Sequence, residues 1–161
     1  MIADFKRIEN GYLASFERQL THTVEAVWAM LTDNEQLKRW FEELRVGELR
    51  EGGFMQFNVP EVINQELEIS ELKPLSVLEF DWFGDVIRFE LYPNENGCEL
   101  LVTEKISSIT EQTKKDIAGW HVCLDVIEAL LDEKTIPRDE EWRKWYERYA
   151  REIDELTGSN I

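Results

Sequence analysis

Thr110 to Leu131 reads TEQTKKDIAGWHVCLDVIEALL, and the period of its apolar residues decides the fold. Ile117, Trp120, Leu124, Ile127 and Leu131 recur at spacings of three and four, which places them on one face of an α-helix. Val122, Cys123, Val126, Ala129 and Leu130 widen that stripe, so the helix is expected to embed against a broad surface. Thr110 is placed to cap the first free amides, and Glu111, Gln112 and Thr113 supply oxygen-bearing side chains in the first turn. At about 1.5 Å per residue such a helix reaches roughly 30 Å, enough to lie across a small sheet.

The sequence before this helix supplies the sheet. Tyr12 to Leu20 alternates, with Tyr12, Ala14, Phe16, Arg18 and Leu20 on one side. Val24, Val27, Trp28 and Leu31 then follow helical spacing, and Asn34 is read as the cap of a second short helix carrying Leu37, Trp40 and Phe41. From Gly47 the pattern is strand and turn. Gly52-Gly53, Pro60, Lys73-Pro74, Gly84-Asp85 and Pro93 to Gly97 punctuate alternating runs, and the glycine pair is attributed to positive φ in a turn. Leu78, Phe80 and Trp82 share one face of a strand, Ile87, Phe89 and Leu91 one face of the next, and Leu100, Val102 and Glu104 one face of the last. Successive hairpins imply an antiparallel sheet with one wet face. After a polar linker, Asp139 to Leu156 reads as an additional helix with Trp142, Trp145, Tyr146, Tyr149, Ile153 and Leu156 along one side. That face either docks within the chain or pairs with a protein partner or a second copy in a homodimer.

The chain has 161 residues, the size of one ordinary domain. Eighteen Lys and Arg against thirty-four Asp and Glu give a formal charge of −16, which disfavours nucleic acid and anionic membranes as partners. No apolar run approaches the roughly 20 residues of a membrane span, and the N-terminus lacks the core of a signal peptide, so a cytoplasmic protein is expected. Cys98 and Cys123 form no CxxC pair, which fits buried reduced thiols.

VWAMLTDNEQLKRWF, ELREGGFMQF, LKPLSVLEFDW and AGWHVCLDVIEALL, taken in this order from about Tyr12 to Leu131, resemble the SRPBCC superfamily. Within it the chain is most similar to the activator of heat-shock-protein-90 ATPase homologue family. The resemblance implies an α+β, helix-grip (START-like) fold: a curved antiparallel sheet around a long C-terminal helix, with two short helices after the first strand. It implies a domain over residues 1–131, leaving 132–161 as linker and C-terminal helical extension. It also implies a deep pocket for apolar or amphipathic small molecules between sheet and long helix.

Phe80, Trp82, Ile87, Phe89, Trp120 and Leu124 are the candidate apolar contacts for such a ligand, with plain core the favoured reading of Trp120. Glu104, aligned with Leu100 and Val102, is the candidate polar anchor; the competing assignment is a satisfied position near the sheet edge. His121 and Asp125, one turn apart with Glu128 close by, fit an ion pair or an exposed polar strip better than a metal site or proton-transfer group. No catalytic constellation, phosphate loop or metal motif is present, so neither a cofactor nor a metal is expected. Non-enzymatic binding of a small apolar or amphipathic molecule is the leading expectation. A co-chaperone-like interaction module is second, and a cavity-based lyase or hydrolase third.

Overall fold

In the computed structural model, which describes residues 2–158, the chain forms two compact units, residues 3–107 and 108–158. The first contains β1 (Asp4–Ile8), β2 (Gly11–Leu20), α1 (Val24–Thr32), α2 (Asn34–Leu37), β3 (Leu44–Glu48), β4 (Phe54–Val59), β5 (Ile63–Lys73), β6 (Val77–Trp82), β7 (Asp85–Asn94) and β8 (Gly97–Ile106). The second contains α3 (Glu111–Leu131) and α4 (Arg138–Thr157). All eight strands lie in one sheet, in the order β1-β2-β8-β7-β6-β5-β4-β3, every neighbouring pair antiparallel.

Alternation in sequence becomes alternation in burial. On β2, Ala14, Phe16, Arg18 and Leu20 are buried; so are Leu78, Phe80 and Trp82 on β6, Ile87, Phe89 and Leu91 on β7, and Leu100, Val102 and Glu104 on β8. Arg88 holds the opposite face of the sheet together. Its guanidinium lies 2.6 Å from Glu71, 2.9 Å from Glu79 and 3.3 Å from Glu90. The bond from Arg88 is the main cause that holds the Glu71 carboxyl below the usual glutamate range. Because these groups keep solvent contact, the network contributes modestly to stability.

Several local expectations are corrected. The sheet gains β1, an edge strand whose side chains are mostly exposed and therefore do not alternate. Asp33, not Asn34, caps α2, its Oδ1 accepting from the Glu35 amide at 3.0 Å. Asn34 instead ties the helix to β3: its Nδ2 donates to Val46 O at 3.1 Å and its Oδ1 accepts from Val46 N at 2.7 Å. Helix α2 ends at Leu37, so Trp40 and Phe41 lie beyond it, with Trp40 Nε1 donating to Met30 O at 2.7 Å. Of the glycine pair only Gly52 has positive φ; Gly53 is required because a Cβ there would fall 2.1 Å from the Glu48 carbonyl oxygen.

The β6–β7 turn is also displaced by one residue from the expected Gly84-Asp85. Trp82 pairs with Asp85, leaving Phe83 at φ 51° and Gly84 at φ 96° as the two central residues. Positive φ at both positions is the requirement of a type I′ hairpin, which favours Asn-Gly, and a bulky residue there is strained. Phe83→Asn is therefore expected to stabilise the fold by about 1 kcal/mol, less whatever the lost ring contacts contribute. A thermal melt checks the sign; a lowered midpoint would mean that the ring contacts outweigh the backbone strain.

In the second unit, Thr110 N–H donates to Thr113 Oγ1 at 2.9 Å, which fixes the start of α3. Gly158, at φ 72°, ends α4 in the left-handed conformation that suits glycine. Lys114 near the start of α3 reaches Asp154 near the end of α4 at 2.8 Å, while Arg138 at the start of α4 reaches Cys123 Sγ at 3.2 Å. The two helices are therefore antiparallel.

Candidate functional site

Hydrogen-bond register brings the sheet candidates into two adjoining rows. Ala14, Glu104, Ile87, Phe80 and Ile69 stand opposite one another across β2, β8, β7, β6 and β5. The next row runs Phe16, Val102, Phe89 and Leu78. Phe80 and Phe89, diagonal neighbours on adjacent strands, have ring centroids 6.2 Å apart at an interplanar angle of 19°. Trp82 continues the same face of β6 and meets Phe41 and Phe57 edge-on at 5.9 and 5.7 Å.

Glu104 is the polar exception on this face, and it is only 1% exposed. Ala14 and Ile87 flank it across the sheet, Val102 and Ile106 along its own strand, and all four are buried. Its strand, β8, lies between β2 and β7, so Glu104 is on an interior strand of the sheet. Burying a carboxyl among apolar groups costs free energy that only specific polar partners offset. Arg18, buried on the same side of β2, is the second charged group of this face. It stands opposite Leu100, four residues from Glu104 along β8 and so about 13 Å away at the backbone. The alternation in Tyr12 to Leu20 already placed Arg18 on this side, which was the available signal for it.

Trp120 and Leu124 lie one turn apart on α3, each 2% exposed, in the stripe that also carries Ile117 and Ile127. His121 is not on an exposed strip. It is buried, because α4 lies over it: Nδ1 is 2.7 Å from the Tyr149 hydroxyl, and the Trp145 ring lies tilted against it at 3.8 Å. Nε2 sits 3.4 Å from Asp125 Oδ2, so the expected ion-pair geometry is present. The aromatic face of α4 is thus engaged within the chain, Tyr149 and Ile153 being its buried residues. The hydrogen bonds that Lys114 donates to Asp154 first and Glu111 second raise its pKa, as expected of an ammonium held between two carboxylates.

Among the described residues no cluster of three or more His, Cys, Asp or Glu side chains is arranged to hold a metal. Cys98 and Cys123 are free and buried, and burial foremost pushes the Cys98 thiol upward, with Glu25 adding to it. Two open clefts of about 560 and 570 Å³ flank the β7–β8 turn, bordered by Leu20, Leu75 and Pro93; neither is lined by a residue of the two rows. No described helix is long and apolar enough to cross a membrane.

One antiparallel sheet, two short helices after β2 and a long helix after the last strand define an α+β protein of the helix-grip class. The family model described as "Activator of Hsp90 ATPase homolog 1-like protein" matches residues 21–132, and the chain belongs to this family, within the SRPBCC superfamily. No curated protein matches the chain in sequence. Among solved structures it is similar to EF2215, a conserved protein of unknown function from Enterococcus faecalis. That likeness has 24% identity and a TM-score of 0.86, and covers 96% of this chain and 91% of that one. The protein encoded by gene BPP1335 from Bordetella parapertussis is similar at 21% identity and a TM-score of 0.71, over 93% and 94% of the two chains. CalU16 from Micromonospora echinospora is similar at 22% identity and a TM-score of 0.69, over 92% and 94%. At these identities the likeness carries the fold alone. The family match ends at 132, so α4 lies outside it. Coverage of 96% leaves only about 6 residues of this chain unmatched to EF2215, fewer than the 20 of α4, so most of that helix has a counterpart there.

Proposed function

We propose that this chain binds a small apolar or amphipathic molecule against the sheet face that carries Phe80, Ile87, Phe89 and Glu104. The observation that supports the reading is a single carboxyl set in the middle of an otherwise apolar row on an interior strand. For packing alone, an apolar side chain at that position would be better, since a buried carboxyl contributes nothing to a core that a hydrophobe would not. A ligand bound there sets its apolar body against the Phe80 and Phe89 rings and its hydrogen-bond donor towards the carboxyl. Burial of apolar surface contributes about 25 cal/mol per Å² before the costs of ordering and desolvation. The donor to Glu104 then sets orientation. Because Glu104 is only 1% exposed, entry of a ligand requires the side chains over it to move.

Titration with the neutral fluorophore Nile red, and its displacement by amphiphiles with and without a donor head group, tests the assignment. Glu104→Gln keeps the shape and removes the charge. It is expected to weaken donor-headed amphiphiles by about tenfold, roughly 1.4 kcal/mol, while leaving Nile red binding and the melting temperature close to the parent's. Equal displacement curves for parent and variant would remove Glu104 from the site.

A further inference from the structure

We infer that the end of the sheet that carries Phe83 is a docking surface for a protein segment in which an apolar residue stands beside lysine or arginine. Phe83 occupies a turn position that suits Asn or Gly, yet it carries a large ring and remains 47% exposed. Backbone strain and an exposed aromatic therefore coincide at one residue. The ring is held in place. It meets Trp82 at 5.0 Å and Phe57 at 5.4 Å, both edge-on, and those two meet each other and Phe41 in the same way. Four connected aromatic rings form a platform with Phe83 at its exposed end, the kind of anchor that carries binding energy at interfaces. Antiparallel connectivity puts the β4–β5 turn at the same end of the sheet, where Val62 is 79% exposed.

Charge identifies the occupant. Exposed Glu42 and Glu43 follow Phe41, exposed Glu61 precedes Val62, and Asp81 lies two residues before Phe83. Of the cations of the α2 segment, Lys38 is paired with Glu35 at 2.8 Å, and Arg39, bonded to the neutral Gln36 at 2.6 Å, is outnumbered by these four carboxylates. In a chain of net charge −16, this apolar patch with an acidic border complements a basic segment and repels a second copy of itself. The exposed Phe83 ring adds to the match, since an aromatic face attracts the guanidinium or ammonium of such a segment. The ligand reading above concerns the buried rows of the sheet and does not depend on this surface.

The test uses the full chain and a phage-displayed library of random dodecapeptides, with Phe83→Asn as the counter-selection target. Asn-Gly satisfies the turn, so the variant removes the ring and keeps the hairpin; a melting midpoint no lower than the parent's confirms this. Peptides that prefer the parent are expected to carry Lys or Arg next to an apolar residue. By fluorescence anisotropy they are expected to lose about tenfold or more in affinity on Phe83→Asn, and to weaken as salt is raised. Peptides that do not distinguish the two proteins, or selected sequences without basic residues, would overturn the proposal. So would a concentration-dependent dimer of the parent, absent in the variant, which would assign the patch to self-association.

Discussion

Trp120→Ala is expected to destabilise the protein by about 3–5 kcal/mol, the usual cost of truncating a fully buried Trp to Ala. Trp120 is 2% exposed, and its helical neighbours Ile117, Leu124 and Ile127 are equally buried. Removing the indole forfeits the transfer free energy of a large apolar surface and leaves a void that the surrounding side chains close only in part. For a chain of this length that corresponds to a melting temperature lower by roughly 10 °C or more. A denaturant midpoint close to the parent's, at an unchanged slope, would show that the ring is not part of the core. It would then favour the other assignment of Trp120, as a wall exposed to a ligand.

Tyr149→Ala is expected to cost about as much, for a different reason. Tyr149 is completely buried, and its hydroxyl lies 2.7 Å from His121 Nδ1. The substitution removes a buried ring that packs on His121 and Trp145, and it also takes from the imidazole a hydrogen-bond partner in a place without bulk water. Tyr149→Phe separates the two effects. It keeps the ring and is expected to cost about 1–3 kcal/mol, the penalty of losing one buried polar contact. Adding His121→Phe to Tyr149→Phe is expected to recover part of that loss, because neither polar group is then left facing the other. Thermal or denaturant unfolding of Tyr149→Ala, Tyr149→Phe, His121→Phe and the double variant measures each contribution. Additive losses would show that the two side chains are not coupled.

The parts of the fold that were legible in the sequence are those where one period dominates. Phe80, Ile87, Phe89 and Glu104 could be assigned to a common buried face because β6, β7 and β8 alternate strictly and are joined by short turns. The three-and-four spacing of Ile117, Trp120, Leu124 and Ile127 defined α3 to within one residue. What the sequence did not reveal depends on partners distant along the chain. Strand β1 has exposed side chains on both faces, as an edge strand can, and so carries no periodic signal. Asn34 looked like a cap because its bonds to Val46 join residues in different elements. His121 looked like a surface residue because Tyr149, which buries it, is 28 positions away. Phe83 was missed for the opposite reason: local preference argued against a phenylalanine at positive φ, and the departure from that preference became visible only in the backbone.

The most direct test of small-molecule binding is native mass spectrometry of the purified full chain, followed by denaturing extraction of whatever it carries. The expected result is an adduct that is lost on denaturation, with an apolar body and a hydrogen-bond donor, and a smaller adduct fraction in Glu104→Gln. A mass equal to that of the polypeptide alone, unchanged after incubation with donor-headed amphiphiles, would contradict it.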